Sequence, residues 1–93
     1  MYYIVHMTYG SYVRDAREKR RKADRSYSLR QVAMRVGVEP AYLSKIERDQ
    51  VAPPSEATTR KLAAELGEDA DVLLAMSGKV SAIWAQRKST AQP

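Results

Sequence analysis

Apolar and polar positions along the 93-residue chain alternate at helical spacing, in short blocks separated by turn residues. Leu29, Val32, Ala33 and Val36 form the clearest stripe and predict a helix over 29–36. Ser28 precedes it as N-cap, and Gln31 three residues later completes a capping box. Gly37 closes this helix, because glycine readily takes the left-handed conformation that a tight corner needs. A second helix is predicted from Pro40 to Arg48 or Asp49, with Leu43 and Ile46 inward and Glu39 at its N-cap. Proline suits a first helical position, where its missing N–H has no partner to lose. Upstream, Ser11 is read as the cap of a first helix over 12–23, with Tyr12, Val13, Ala16 and Arg20 on one side. Asp15 with Lys19 and Glu18 with Lys22 have i,i+4 ion-pair spacing. Downstream, Pro53-Pro54 interrupts the chain, and Ser55 caps a fourth helix through Leu66, ended by Gly67. Leu62, Ala63 and Leu66 are its apolar face. Ala70 to Met76 predict a fifth helix whose acidic start suits the positive helix end, with Val72, Leu73 and Met76 completing the core.

The two ends read differently. Residues 1–10 are an N-terminal extension: either a loose tail or a short strand, rich in β-prone Tyr2, Tyr3, Ile4 and Val5, that pairs with its copy in a dimer. Met7 is a second candidate start. In residues 79–93, Val80, Ile83 and Trp84 fall at helical spacing and predict a short sixth helix, with Trp84 packed on the domain or on a second subunit, before a polar tail. The expected fold is all-α: a five-helix domain over residues 11–78, plus the short C-terminal helix.

Two helices joined by a sharp turn across 29–48 make a helix-turn-helix, whose second helix enters the DNA major groove. The similarity extends further. Ala33 is a small residue four before Gly37, Val38 plugs the turn, and Tyr42-Leu43-Ser44-Lys45-Ile46-Glu47-Arg48 resembles the recognition helix of the phage Cro/repressor type, the XRE family of bacterial regulators. The resemblance runs from about Val13 to Gly78. It implies a DNA-binding domain in which Ala41, Tyr42, Ser44 and Lys45 face the bases. Lysine donates to guanine, serine serves either edge, and alanine meets a thymine methyl. Ser28, Arg30 and Gln31 at the start of the second helix would meet phosphate, as would Arg48 and, beside the loop that follows, Gln50 and Ser55. In the family a glutamate at the position of Glu47 pairs with a first-helix arginine at the position of Arg17. The chain departs from the family in a longer link between the first two helices, which Tyr27 is expected to anchor. It also has Pro40-Ala41 where many members carry glutamines, and Glu39 where many carry Ser or Thr.

Charge sharpens this picture. The net charge is +5, and residues 1–35 hold nine Lys/Arg against three Asp/Glu while the rest of the chain is nearly balanced. A polyanion would meet that region first, which makes Arg14 and Arg21 on the first helix further phosphate candidates. The alternative is that these cations only solvate a long helix. No cysteine and a single histidine leave no thiolate site and no metal site of the usual ligand types, and the carboxylates at 68–71 read as helix-end complements. Neither a catalytic constellation nor a glycine-rich phosphate loop is present, so no enzyme activity and no cofactor are expected. The opening MYYIVHM is not a secretory leader, and no apolar run spans a membrane. The implied role is a regulator of transcription, most simply a repressor acting as a homodimer on a pseudo-palindromic site in a bacterial or phage-infected cytoplasm. The competing role is an antitoxin-like interaction module that turns the same face to a protein, such as a toxin or a polymerase subunit.

Overall fold

The computed structural model describes residues 7–78 of the chain. The first six residues and the expected sixth helix with Trp84 lie outside the described residues. Within them the fold is all-α: α1 (Tyr9–Arg21), a single 3-10 turn (Arg25–Tyr27), α2 (Leu29–Val36), α3 (Pro40–Glu47), α4 (Glu56–Leu66) and α5 (Ala70–Met76).

The first helix begins earlier than its sequence suggests. Thr8, not Ser11, is the N-cap; Ser11 is instead the reciprocal partner in a capping box with Thr8. Tyr9 and Gly10, assigned to the N-terminal extension above, are therefore helical and buried. Gly10 is needed because α3 ends against this turn. A Cβ there would overlap the carbonyl oxygen of Ile46 and lie 2.6 Å from Asp49 Oδ1. The expected Asp15–Lys19 and Glu18–Lys22 pairs are absent from the described residues. Glu18 turns instead to Arg17 (3.2 Å) and Arg21 (3.7 Å).

Val13 and Ala16 of α1, Val32, Ala33 and Val36 of α2, Leu43 and Ile46 of α3, and Leu62, Ala63 and Leu66 of α4 form one core. Five helices converge there because each is amphipathic at 3.6-residue spacing. The α5 contribution differs from the expected set. Leu73 and Leu74 are buried, whereas Val72 is 44% exposed and Met76 only half-buried. Leu73 and Met76 thus pack as expected, Met76 from the edge of the core beside Ala70, and Leu74 takes the buried place expected of Val72. One buried polar pair crosses the core, where the Tyr9 and Thr59 hydroxyls lie 2.9 Å apart. Burial pushes the Tyr9 phenol above its ordinary value.

The helix ends follow from local chemistry. Gly37, at φ 89°, turns the chain between α2 and α3, and the N–H groups of Gly37 and Val38 both reach the Ala33 carbonyl. Ser55 caps α4 through the Thr58 N–H, and Asp69 caps α5 through the N–H groups of Asp71 and Val72. The acidic start of α5 is thus a cap, and no cluster of metal-ligating side chains occurs among the described residues.

Candidate nucleic-acid interface

The third helix has an inner and an outer face. Leu43 and Ile46 are inward and at most 1% exposed. Ala41, Tyr42, Lys45 and Arg48 are exposed, and Ser44 is half-buried at the edge. α3 ends at Glu47, one turn-residue short of the sequence reading, and Glu39 makes no side-chain cap, leaving Pro40 to start the helix. The Lys45 side chain has no hydrogen-bond or ion-pair partner among the described residues. Arg48 folds back to donate to the Ser44 carbonyl at 3.3 Å, which leaves its charge uncompensated.

Arg17 and Glu47 hold α3 to α1. Arg17 Nε donates to Glu47 Oε2 at 2.7 Å and Nη2 to Oε1 at 2.9 Å, a bidentate pair with side chains 6% and 4% exposed. The Glu47 carboxylate raises the Arg17 pKa further above its ordinary value. Arg17 Nη1 also donates to the Tyr27 carbonyl at 3.2 Å. One guanidinium therefore ties together α1, α3 and the 3-10 turn. Outside this pair lies an open cleft of about 230 Å³, lined by Arg14, Arg17, Glu18, Leu29, Ser44, Glu47 and Arg48.

The second helix presents its start at the same cleft. Ser28 Oγ accepts from the Gln31 N–H at 3.3 Å. The reciprocal half of the expected capping box is replaced: the Ser28 N–H goes to the Arg25 carbonyl, so the Gln31 side chain is not engaged in the cap. Arg30 and Gln31 are exposed. Of the first-helix candidates, Arg14 lines the cleft without a salt-bridge partner, and Arg21 shares Glu18 with Arg17. Gln50 is exposed just past α3, whereas the Ser55 hydroxyl is engaged as the α4 cap.

The model of the helix-turn-helix family matches residues 17–73, well over half of the chain. The chain belongs to the Cro/repressor-type (XRE) helix-turn-helix family. No curated protein and no solved structure matches it. Membership makes this protein a DNA-binding regulator, and α3 is the helix that occupies the recognition position. No helix among the described residues is long and apolar enough to cross a membrane.

Several positioning groups of this regulator escape a sequence reading. Asp49 adopts a left-handed conformation (φ 57°) just past α3, and the N–H groups of Asp49 and Gln50 satisfy the Ile46 and Lys45 carbonyls. Its carboxylate then accepts the Gly10 N–H at 3.0 Å and the Thr8 hydroxyl, clasping the first turn of α1. A glycine would meet the backbone need, but only Asp supplies the carboxylate as well. Arg20 Nε donates to the Leu66 carbonyl at 2.6 Å, covering the end of α4. Tyr27, expected to anchor the link, packs against the core, and the guanidinium groups of Arg20 and Arg35 lie over its ring, 5.7 and 5.2 Å from the ring centre. Arg35 is itself paired with Glu65 at 2.6 Å.

Proposed function

We propose that this regulator binds specific double-stranded DNA as a homodimer on a pseudo-palindromic operator and represses transcription by occluding polymerase. The setting is a bacterial or phage-infected cytoplasm. The observation that supports it is the outer face of α3, where Ala41, Tyr42 and Lys45 stand exposed beside a cleft rimmed by unpaired Arg14 and Arg48. In this reading Lys45, Ser44 and Ala41 touch base edges, and Tyr42 packs along the sugar-phosphate edge. Ser28, Arg30, Gln31, Arg48, Gln50, Arg14 and Arg21 meet phosphate. Two copies are required because one recognition helix reads only a few base pairs, and half-sites about 34 Å apart place two helices on one face of the duplex.

The test is a selection from random duplex DNA with the bound pool sequenced. An enriched inverted repeat is the expected result, and Lys45→Ala combined with Ser44→Ala removes the enrichment while leaving the circular-dichroism spectrum unchanged. Retention without a shared motif defeats the sequence-specific reading, and no retention at low salt moves the α3 face to a protein partner.

A further inference from the structure

We infer that the 3-10 turn between α1 and α2 is a second phosphate-binding element, with Arg25 as its contact to the DNA backbone beyond the cleft. The inference rests on the proposed docking of α3 and extends it to a segment that the family pattern leaves unassigned.

Arg25 is the first residue of the turn and exposed, and its side chain has no hydrogen-bond or ion-pair partner among the described residues. Its acidic neighbour does not neutralise it. Asp24 is engaged as the cap of the turn, accepting from the Ser26 N–H at 2.9 Å. Hydrogen bonds from the Ser26 hydroxyl and N–H hold the Asp24 carboxyl below its usual range.

Three anchors fix the turn relative to the recognition helix. The Tyr27 carbonyl is bound by Arg17, the same guanidinium that grips Glu47 at the end of α3. The Tyr27 ring packs against the core with the Arg20 and Arg35 guanidinium groups over it. The Arg25 carbonyl receives the Ser28 N–H, which locks the turn to the start of α2. Leu29, the next residue after Ser28, already lines the cleft with Arg14 and Ser44. Arg25 thus precedes Leu29 of the cleft by four residues, on a backbone held at both ends. A phosphate strand following the cleft meets Arg25 next, and because the backbone of the turn is already fixed, only the arginine side chain has to be ordered on contact.

The test measures binding of a fluorescein-labelled duplex of mixed sequence, about two helical turns long, by anisotropy between about 50 and 200 mM salt. Each phosphate contact contributes about 0.9 to the slope of log K against log salt. Arg25→Ala lowers that slope by about 0.9 per bound subunit, so for a dimer by about 1.8, and the affinity gap to the parent closes by about twelvefold across this range, or threefold to fourfold where a single subunit binds. Arg25→Lys restores the slope, and the melting temperature of both variants stays that of the parent, because the side chain is exposed and makes no hydrogen bond or ion pair among the described residues. An unchanged slope in Arg25→Ala overturns the inference even where binding weakens. A parent that does not bind duplex at the lowest salt overturns the DNA-binding reading itself, and this inference with it.

Discussion

The Arg17–Glu47 pair yields the sharpest quantitative prediction. Both side chains are almost fully buried and joined by two short charge-assisted hydrogen bonds. Removing one partner leaves a desolvated charge, which costs about 3–5 kcal/mol. The two single losses are not equivalent. Glu47→Ala leaves the guanidinium with the Glu18 carboxylate at 3.2 Å and the Tyr27 carbonyl at 3.2 Å, so its cost falls near the lower end. Arg17→Met leaves the Glu47 carboxylate without its partner and also orphans the Tyr27 carbonyl, so its cost falls near the upper end. Removing both with Arg17→Met/Glu47→Leu replaces the pair by apolar volume and costs far less than the sum, because such replacements are often close to neutral. A domain of this size holds roughly 5–15 kcal/mol in total, so either single variant loses a large part of it. Urea unfolding followed by far-ultraviolet circular dichroism, run as a double-mutant cycle, reads the difference directly. Additive losses, or single losses below about 1 kcal/mol, would refute the reasoning, since that is how a solvated surface pair behaves.

Three further variants probe the scaffold. Gly10→Ala drives a methyl into the Ile46 carbonyl and the Asp49 carboxylate and is expected to lose at least about 1–3 kcal/mol in urea unfolding, although alanine is the better helix former. Asp49→Gly loses only the clasp on α1, whereas Asp49→Ala also strains a left-handed residue; thermal melts should rank parent above Gly above Ala, the last two about 1 kcal/mol apart. Tyr12 donates to Glu68 Oε1 at 2.6 Å, and this hydrogen bond to the carboxylate pushes its phenol up to about 12. The folded state therefore binds that proton more tightly than the unfolded chain, and the stability it contributes is complete below pH 10 and lost between about pH 10 and 12. Tyr12→Phe should cost about 1 kcal/mol at pH 7, and the gap to the parent should close across that alkaline window.

Where pattern and capping agreed, the elements were legible. α2, α4 and α5 fall on the spans expected from their apolar stripes and from Ser28, Ser55, Gly37 and Gly67. The misreadings share a cause: residues whose local preference is overruled by a distant contact. Gly10 looks like a break before a helix, yet it sits inside one because α3 needs the space. Asp49 looks like a candidate last residue of α3, yet it turns left-handed just past the helix and a helix N-terminus 39 residues away in the chain uses its carboxylate. Thr59 did leave a signal, since it stands three before Leu62 on the apolar stripe of α4. Its partner Tyr9 lay in a segment read as tail. In the candidate interface the outward positions of α3 follow from its register, but which arginines stay free does not, because that depends on where Glu18, Glu65 and the Leu66 carbonyl lie in space.

That distinction sets the charge this regulator can offer to DNA. Nine Lys/Arg lie in residues 1–35, but four are already engaged. Arg17 faces Glu47, Arg35 faces Glu65, Arg21 shares Glu18, and Arg20 is drawn to the Leu66 carbonyl. Lys19 and Lys22 are free, but Lys19 stands about 140° round α1 from Arg14 at 100° per residue and Lys22 follows the end of the helix about 80° round, and neither lines the cleft. The cations proposed to meet phosphate are Arg14, Arg25, Arg30 and Arg48, with Arg21 released from its exposed 3.7 Å pair with Glu18, while Lys45 is kept for base edges. Five phosphate contacts in each subunit predict a slope of log K against log salt near −9 for a dimer on its operator, by about 0.9 per contact. Counting all nine with Lys45 and Arg48 instead predicts a slope near −20. Titrations of the selected operator at several salt concentrations separate the two, provided that the dimer is intact throughout. A slope steeper than about −12 would mean that the other ion pairs on α1 open on binding or that its outward lysines reach the duplex, and the cleft would no longer be the boundary of the interface.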